Sequence, residues 1–339
     1  MPSDTGNVTA LPHAKNHATS DRPNVNMTEA WPDIPFETWK DTCATLQLWL
    51  QIVGKYRLRR APWINHGWHA TFYVTARGLT TSLIPVGSLG VQFDFDFVDH
   101  KLIASVTNGS RSGFALEPMT VADFYARFLV LTDELHVRTE INRMPNEVPD
   151  AVPFDRDTAH ASYDAEAVTR FWQALVQIDR VLNYFRTGFL GKASPVHLFW
   201  GSFDLAVTRF SGRRAPLHPG GVPGLPDAVT REAYSHEVSS AGFWPGGGPV
   251  DYPAFYSYAY PAPDGFSTQP VIPREAFFDA KAGEFLLPYS VVRNSPDPEQ
   301  TLLSFLDSTY DAAARLAGWD RAALECPRGR IDVPRELER

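Results

Sequence analysis

Cysteine is nearly missing from this chain: there are two in 339 residues, Cys43 and Cys326. Their separation excludes a disulfide framework and any zinc-finger spacing. Cys43 falls on the apolar face of an expected helix and reads as a buried structural thiol, not a nucleophile. Long hydrophobic runs are also lacking, and no stretch approaches the length needed to cross a bilayer. Positive charge is in deficit, with 31 Lys and Arg against 39 Asp and Glu and a net charge of −8. That balance argues against a non-specific nucleic-acid binder and against a polybasic membrane-surface protein. Nucleotide motifs are missing too. The stretch Leu217–Gly224 has glycines but neither the Lys and Ser/Thr nor the strand-to-helix placement of a P-loop, and it does not match the dinucleotide fingerprint. It reads as a lid or a surface loop. Neither Gly201–Asp204 nor Ser239-Ser240 makes a nucleophile elbow, which disfavours a serine hydrolase. Residues 1–30 lack the layout of a signal peptide, so they read as a disordered tail and the chain as cytoplasmic.

What the chain has in excess is aromatic rings: 9 Trp, 12 Tyr and 22 Phe, 13% of the residues. That is enough for a large core with rings left over to line a cavity. Periodicity predicts a helix over 36–55, with Trp39, Cys43, Leu46, Leu50 and Val53 on one face. A strand is expected over 65–77, then a Gly/Pro connection over 78–90. The alternation of Val91, Phe93, Phe95 and Phe97 with Gln92, Asp94 and Asp96 predicts the next strand, paired with 101–106 and followed by 114–116. Thr120 with Asp123 caps a helix, and a short strand is expected over 137–142. Pro- and Asp-rich residues 145–157 read as a linker. Beyond it come a helix capped by Asp164 and a strand over 196–210 with Gly201 as a bulge. A strand pair, 237–244 with 254–260, a hairpin, 277–279 with 284–287, and a helix capped by Asp297 complete the chain.

The fold class implied is α+β: two similar halves, each helix, antiparallel sheet, helix. The boundaries are a tail 1–30, a first half 31–144, a linker 145–160, a second half 161–325 and a C-terminal tail 326–339. The shared order points either to an internal duplication or to two instances of a common arrangement.

From Trp31 to Leu324 the chain resembles a bacterial family known as domain of unknown function 5996. The resemblance is carried by His66-Gly67-Trp68-His69, by the run from Ser194 to Asp204 and by His218-Pro219-Gly220-Gly221. The run from Tyr234 to Gly246 and Tyr256-Ser257-Tyr258-Ala259-Tyr260-Pro261 carry the rest. It implies a single-family cytoplasmic protein and brings no reaction with it, so the chemistry rests on the side chains.

His66, His69, His197, His236 and Glu237 fall near the starts of expected strands. Imidazoles and a carboxylate converging there would suit zinc or iron, because neutral imidazole supplies a lone pair and the carboxylate offsets charge. The same residues read without a metal as an acid–base set, with His236 or Glu237 taking a proton and Tyr258 donating one. Trp68, Trp200, Trp244, Tyr256 and Tyr260 are the expected walls of an aromatic cleft, and Arg77 and Arg209 the expected anchors for an anionic group. Asp204, in a largely apolar strand, needs a partner such as Arg209 or His197 if it is buried. The functional reading is a small-molecule enzyme. Its alternatives are a non-catalytic ligand-binding protein and a homodimeric interaction module with the aromatic strips at the interface.

Overall fold

The computed structural model describes residues 30–248 and 250–335; the expected N-terminal tail, Ala30 apart, lies outside the described residues. Helix α1 (Phe36–Arg60) runs through the middle of the molecule. Its expected stripe is buried, but so are Leu48, Trp49, Ile52 and Tyr56, and from Leu48 to Arg57 every residue is buried. A helix covered on all sides carries apolar residues beyond one face. Its last turn therefore continues past Lys55, where the apolar stripe alone ends.

The first sheet is antiparallel and contains β1 (Tyr73–Thr75), β2 (Gly78–Thr80), β3 (Ile84–Val86), β4 (Leu89–Asp96), β5 (Lys101–Val106) and β6 (Arg111–Ala115). Strand β4 behaves as its alternation demands. Phe93 and Phe95 turn inward onto Tyr56, Phe128 and Phe124, while Gln92 and Asp94 hydrogen-bond each other on the outer face. Three expectations fail here. Residues 65–70 form a 3₁₀ turn, because His66 (φ 63°) and Gly67 (φ 71°) adopt left-handed backbone. Residues 78–90 are not a plain connection but contain β2 and β3. The segment 137–142 forms no strand. Helix α2 (Val121–Glu134) starts at Thr120, whose side chain accepts from Asp123 N as the capping pattern predicts.

Helix α3 (Ala165–Arg186), capped by Asp164, leads into the second sheet. Its strands are β7 (His197–Phe199), β8 (Asp204–Arg214), β9 (His236–Trp244), β10 (Ala254–Tyr260), β11 (Phe277–Asp279) and β12 (Glu284–Pro288). All pair antiparallel in the order β11-β12-β10-β9-β8-β7. The expected single strand over 196–210 is a hairpin instead: the chain turns at Gly201–Phe203, with Phe203 at φ 56°, and β7 pairs back onto β8. Helix α4 (Asp227–Ala233) precedes β9, α5 (Tyr289–Arg293) follows β12, and α6 (Pro298–Leu316), capped by Asp297, packs on β9, β10 and α3. A last short helix, α7 (Arg321–Leu324), follows.

The edges of the two sheets meet. Phe72 N donates to Leu198 O at 2.9 Å and Leu198 N to Phe72 O at 2.8 Å, so β1 and β7 are tied where each sheet would otherwise leave an open edge. One apolar core runs through both halves. The Pro/Asp-rich segment, expected as a linker, is packed into the fold. Gln51 Nε2 donates to Asn146 O (2.9 Å), Asn146 N donates to Gln51 Oε1 (2.8 Å) and Phe154 is fully buried.

Helix α1 reaches the second half through a glycine. At Gly54 a Cβ would overlap the Trp200 indole, and that ring is fixed because Nε1 donates to Ala70 O at 2.7 Å. Replacing Gly54 with Val is expected to cost about 1–3 kcal/mol in chemical denaturation, as an overpacked core site does. Gly248→Ala, where a Cβ meets nothing within 4 Å, is expected to stay within about 0.5 kcal/mol of the parent.

Candidate functional site

Strand parity decides which side chains share the outer face of the second sheet. The register aligns Ala206, Gly242, Tyr256 and Leu286 in one row and Thr208, Ser240 and Tyr258 in the next. The Thr208 and Ser240 hydroxyls meet at 2.9 Å, as two residues on one face must. The opposite face, with Leu205, Val207, Phe243, Phe255 and Leu287, belongs to the core. The outer face has a floor of small residues with rings standing on it. Trp244 and Tyr256 stack with centroids 4.3 Å apart and form, with Leu286, a small apolar cluster separate from the main core.

Into this face is set a buried carboxyl group, Asp204. Ser202 Oγ donates to its Oδ1 at 2.5 Å, and the Tyr256 hydroxyl donates to its Oδ2. Tyr256 stands two strands away and crosses β9 at Gly242, where a Cβ would overlap the phenol. Burial pushes the Asp204 pKa above the ordinary carboxylate range, against the pull of these two hydrogen bonds.

Two further carboxyls are coupled to it. Glu147 has left-handed backbone (φ 56°), which is strained for a residue with a side chain. It fits between two glycines: a Cβ at Gly201 would overlap its carboxylate and one at Gly224 its backbone N. Burial, then the charge of Asp204, pushes its pKa up to about 7. Among the described residues its carboxylate has no hydrogen-bond partner. Glu284 opens β12, and one carboxylate oxygen, Oε2, is buried without a partner among the described residues. Burial, then Asp204 and Asp279, raises its pKa to about 8. Tyr234 and Tyr258 complete the group, with hydroxyls 3.0 Å apart and burial raising both pKa values. The Gly/Pro loop 216–226 spans this face. Its His218 stacks on Tyr234, the Tyr260 hydroxyl donates to Pro216 O at 3.1 Å, and Asn146 Nδ2 donates to Gly224 O at 2.7 Å.

Residues 31–326 match the model of a family described as being of unknown function, DUF5996. The chain belongs to that family. No curated protein and no solved structure matches it. The matched span holds all three carboxyls and every ring of the outer face, so the group lies within the family's own domain.

The site residues expected from this DUF5996 sequence divide. Trp244, Tyr256 and Tyr258 stand together on the outer face, with Tyr260 at its end. His236 and Glu237 do not join them. Glu237 has the opposite parity and accepts from Ser211 Oγ (2.9 Å) and Arg213 Nη2 (2.7 Å), while His236 Nδ1 lies 3.1 Å from its neighbour Ser235. The metal set does not assemble either: among the described residues no three His, Cys, Asp or Glu side chains form a group that could hold an ion. Each imidazole has its own local partner. His66 Nδ1 donates to Ala233 O (2.8 Å), His69 Nδ1 lies 3.2 Å from Ile64 O, and His197 Nδ1 donates to Pro195 O (2.7 Å). Burial lowers His197 to about pKa 4, so its ring is neutral.

Trp200 is a core residue, and Trp68 packs against His66 and Phe210. Neither arginine is free for a substrate. Arg77 is bound to Asp96 (2.6 Å) and Asp99 (2.8 Å). Arg209 is buried on the core side of β8, 3.5 Å above the Phe185 ring and 4.4 Å from that of Tyr310. Nor is Arg209 or His197 the partner of Asp204, a role that Ser202 and Tyr256 fill. Glu147, Glu284, Ser202 and Tyr234 were not expected. Two grooves of 560 and 660 Å³ lie elsewhere, along β1 and α3 and along α2. No residue of the carboxyl group lines either, and convergent titratable chemistry, not groove size, marks the outer face as the candidate.

The raised carboxyls have a stability signature. A carboxyl whose folded pKa exceeds its unfolded value, about 4.3 for Glu, binds more protons folded than unfolded between the two values. Stability then falls as pH rises through that window. Glu147 near 7 and Glu284 near 8 are expected to contribute a loss of stability from about pH 5 to about pH 8, opposed up to about pH 6.5 by His197, which is lowered to about 4. Glu284→Gln is expected to raise the melting temperature at the alkaline end of the window more than at the acid end. A melting curve at each end decides it.

Proposed function

We propose that this chain is a small-molecule enzyme using general acid–base chemistry on the outer face of the second sheet, with Glu147 moving the proton. The observation that carries this reading is the state of Glu147. Its carboxyl sits on strained backbone, without a hydrogen-bond partner among the described residues, in a cradle of two glycines, with a pKa near neutrality. Glu147 is half-buried, and a carboxyl left free of protein partners at a pKa of about 7 can both give and take a proton at physiological pH. Burial is the larger cause of that pKa, and the charge of Asp204, held by Ser202 and Tyr256, adds to it.

The Tyr258–Tyr234 pair supplies hydroxyls to orient a substrate, and the Trp244–Tyr256 stack supplies an apolar wall. Three carboxyls disfavour an anionic substrate, so the reading is of a neutral or cationic one. Loop 216–226 would be the lid, with Gly220, Gly221 and Gly224 all at positive φ as its flexible points. We assign the reaction to the cytoplasm, in keeping with two free cysteines.

The test is a thermal-shift screen of neutral and cationic small metabolites, followed by a turnover assay on the stabilising compounds. Glu147→Gln is expected to lower turnover about 10²–10⁴-fold, the usual worth of a general acid or base, while keeping the ligand-induced stabilisation. Turnover equal to the parent would overturn the role of Glu147. Stabilisation with no conversion of any ligand would make the protein a binder and not an enzyme.

A further inference from the structure

A second group of reactive side chains lies where the 3₁₀ turn meets the second sheet. Lys192 is an exposed residue whose side chain lies across two rings, with Nζ 4.7 Å from the Phe210 centroid and 5.3 Å from that of Trp68. His66 closes the third side, its ring centroid 4.6 Å from Phe210 and 5.0 Å from Trp68. The tautomer of His66 is fixed by its partner. Ala233 O can only accept, so Nδ1 carries the proton, and the bare Nε2 lies 2.7 Å from Lys192 Nζ. An amine is thus held against a neutral imidazole that can take its proton. The geometry is maintained at a cost in backbone strain, since His66 itself has φ 63°. The titratable groups around the pair are Glu232 and His236. Partial burial lowers the Lys192 pKa and Glu232 raises it, with burial the larger effect.

We propose that Lys192 is a nucleophilic amine that condenses with aldehydes or ketones, His66 serving as its proton acceptor. The ammonium passes a proton to His66 Nε2, and the free amine attacks the carbonyl carbon, forming the C–N bond. The carbonyl oxygen takes two protons, one returned by His66 and one from the attacking nitrogen, and the C–O bond breaks to release water, leaving an imine. No oxidant or reductant is consumed. The product is cationic when protonated, so the Trp68 and Phe210 faces that seat the ammonium also stabilise the iminium. They would stack on a planar, unsaturated carbonyl compound better than on an aliphatic one. A surface lysine lacks both the base and the rings.

The experiment uses the full chain with pyridoxal as a planar aldehyde, borohydride to fix the imine, and peptide mass spectrometry to place it. Lys40, Lys101 and Lys281, all exposed, are the internal standards. Lys192 is expected to be labelled about tenfold faster than these three near neutral pH, as an activated amine would be. His66→Asn, which tolerates left-handed backbone but cannot reach Nζ, is expected to bring it down to their rate. If that variant does not fold, the ratio in the unmodified protein still decides. Labelling of Lys192 no faster than of Lys281, or a rate unchanged in folded His66→Asn, would overturn the proposal.

Discussion

Everything proposed for the outer face of the second sheet depends on one hydrogen bond, from the Tyr256 hydroxyl to the buried carboxyl of Asp204. A charge taken out of water must be compensated by donors, and here, among the described residues, the side-chain donors are two hydroxyls. The bond spans β9 and exists because Gly242 has no side chain to stand in the way of the ring. A glycine inside a strand weakens it and often marks a close approach, and at Gly242 the approach is that of Tyr256. With Ser202 on the other oxygen, Asp204 is fixed in place. Its charge adds to the effect of burial, the larger cause, in raising Glu147 and Glu284.

The same region shows how the two sheets are brought to one purpose. The Phe72–Leu198 bridge ties the edges of the first and second sheets, and α1 carries contacts from one to the other. Gln47 Nε2 donates to Gly201 O at 2.6 Å, in the turn that also cradles Glu147. Lys55, lowered to about pKa 8 by burial, donates to the Asn146 side chain next to Glu147. The strained backbone of Glu147 is therefore held by groups from α1 and from both glycines. Strain of this sort persists only where its surroundings over-determine it.

Much of the fold was legible in the sequence. Strand alternation in 91–97, the Thr120, Asp164 and Asp297 caps, and the pairing of 237–244 with 254–260 are local patterns, and local physics decides them. The failures have a common cause. At residues 65–70 and 201–203 the direction of the chain depends on left-handed backbone at His66 and Phe203, where side chains alone predict extended structure. The site was legible in part. Period-two tyrosines and Trp244 announced a ring-lined face, and Asp204 was conspicuous in an apolar strand. Glu147 was not legible, because it sits in a stretch whose Pro and Asp content reads as linker and its significance comes from Gly201 and Gly224 far along the chain. The histidines misled for the converse reason. Their spacing is suggestive, yet Nδ1 of His66, His69 and His197 each lies against a backbone carbonyl close to it in space and that of His236 against the Ser235 hydroxyl, which no spacing rule reveals.

The most direct measurement of the central claim is a carboxyl ¹³C NMR titration of Glu147 in the parent protein and in Asp204→Asn. Burial with the charge of Asp204 added to it predicts that Glu147 titrates near neutrality, at about 7, and that neutralising Asp204 moves it down part of the way. A Glu147 that titrates near the free value of about 4.3, indifferent to the substitution, would contradict the account.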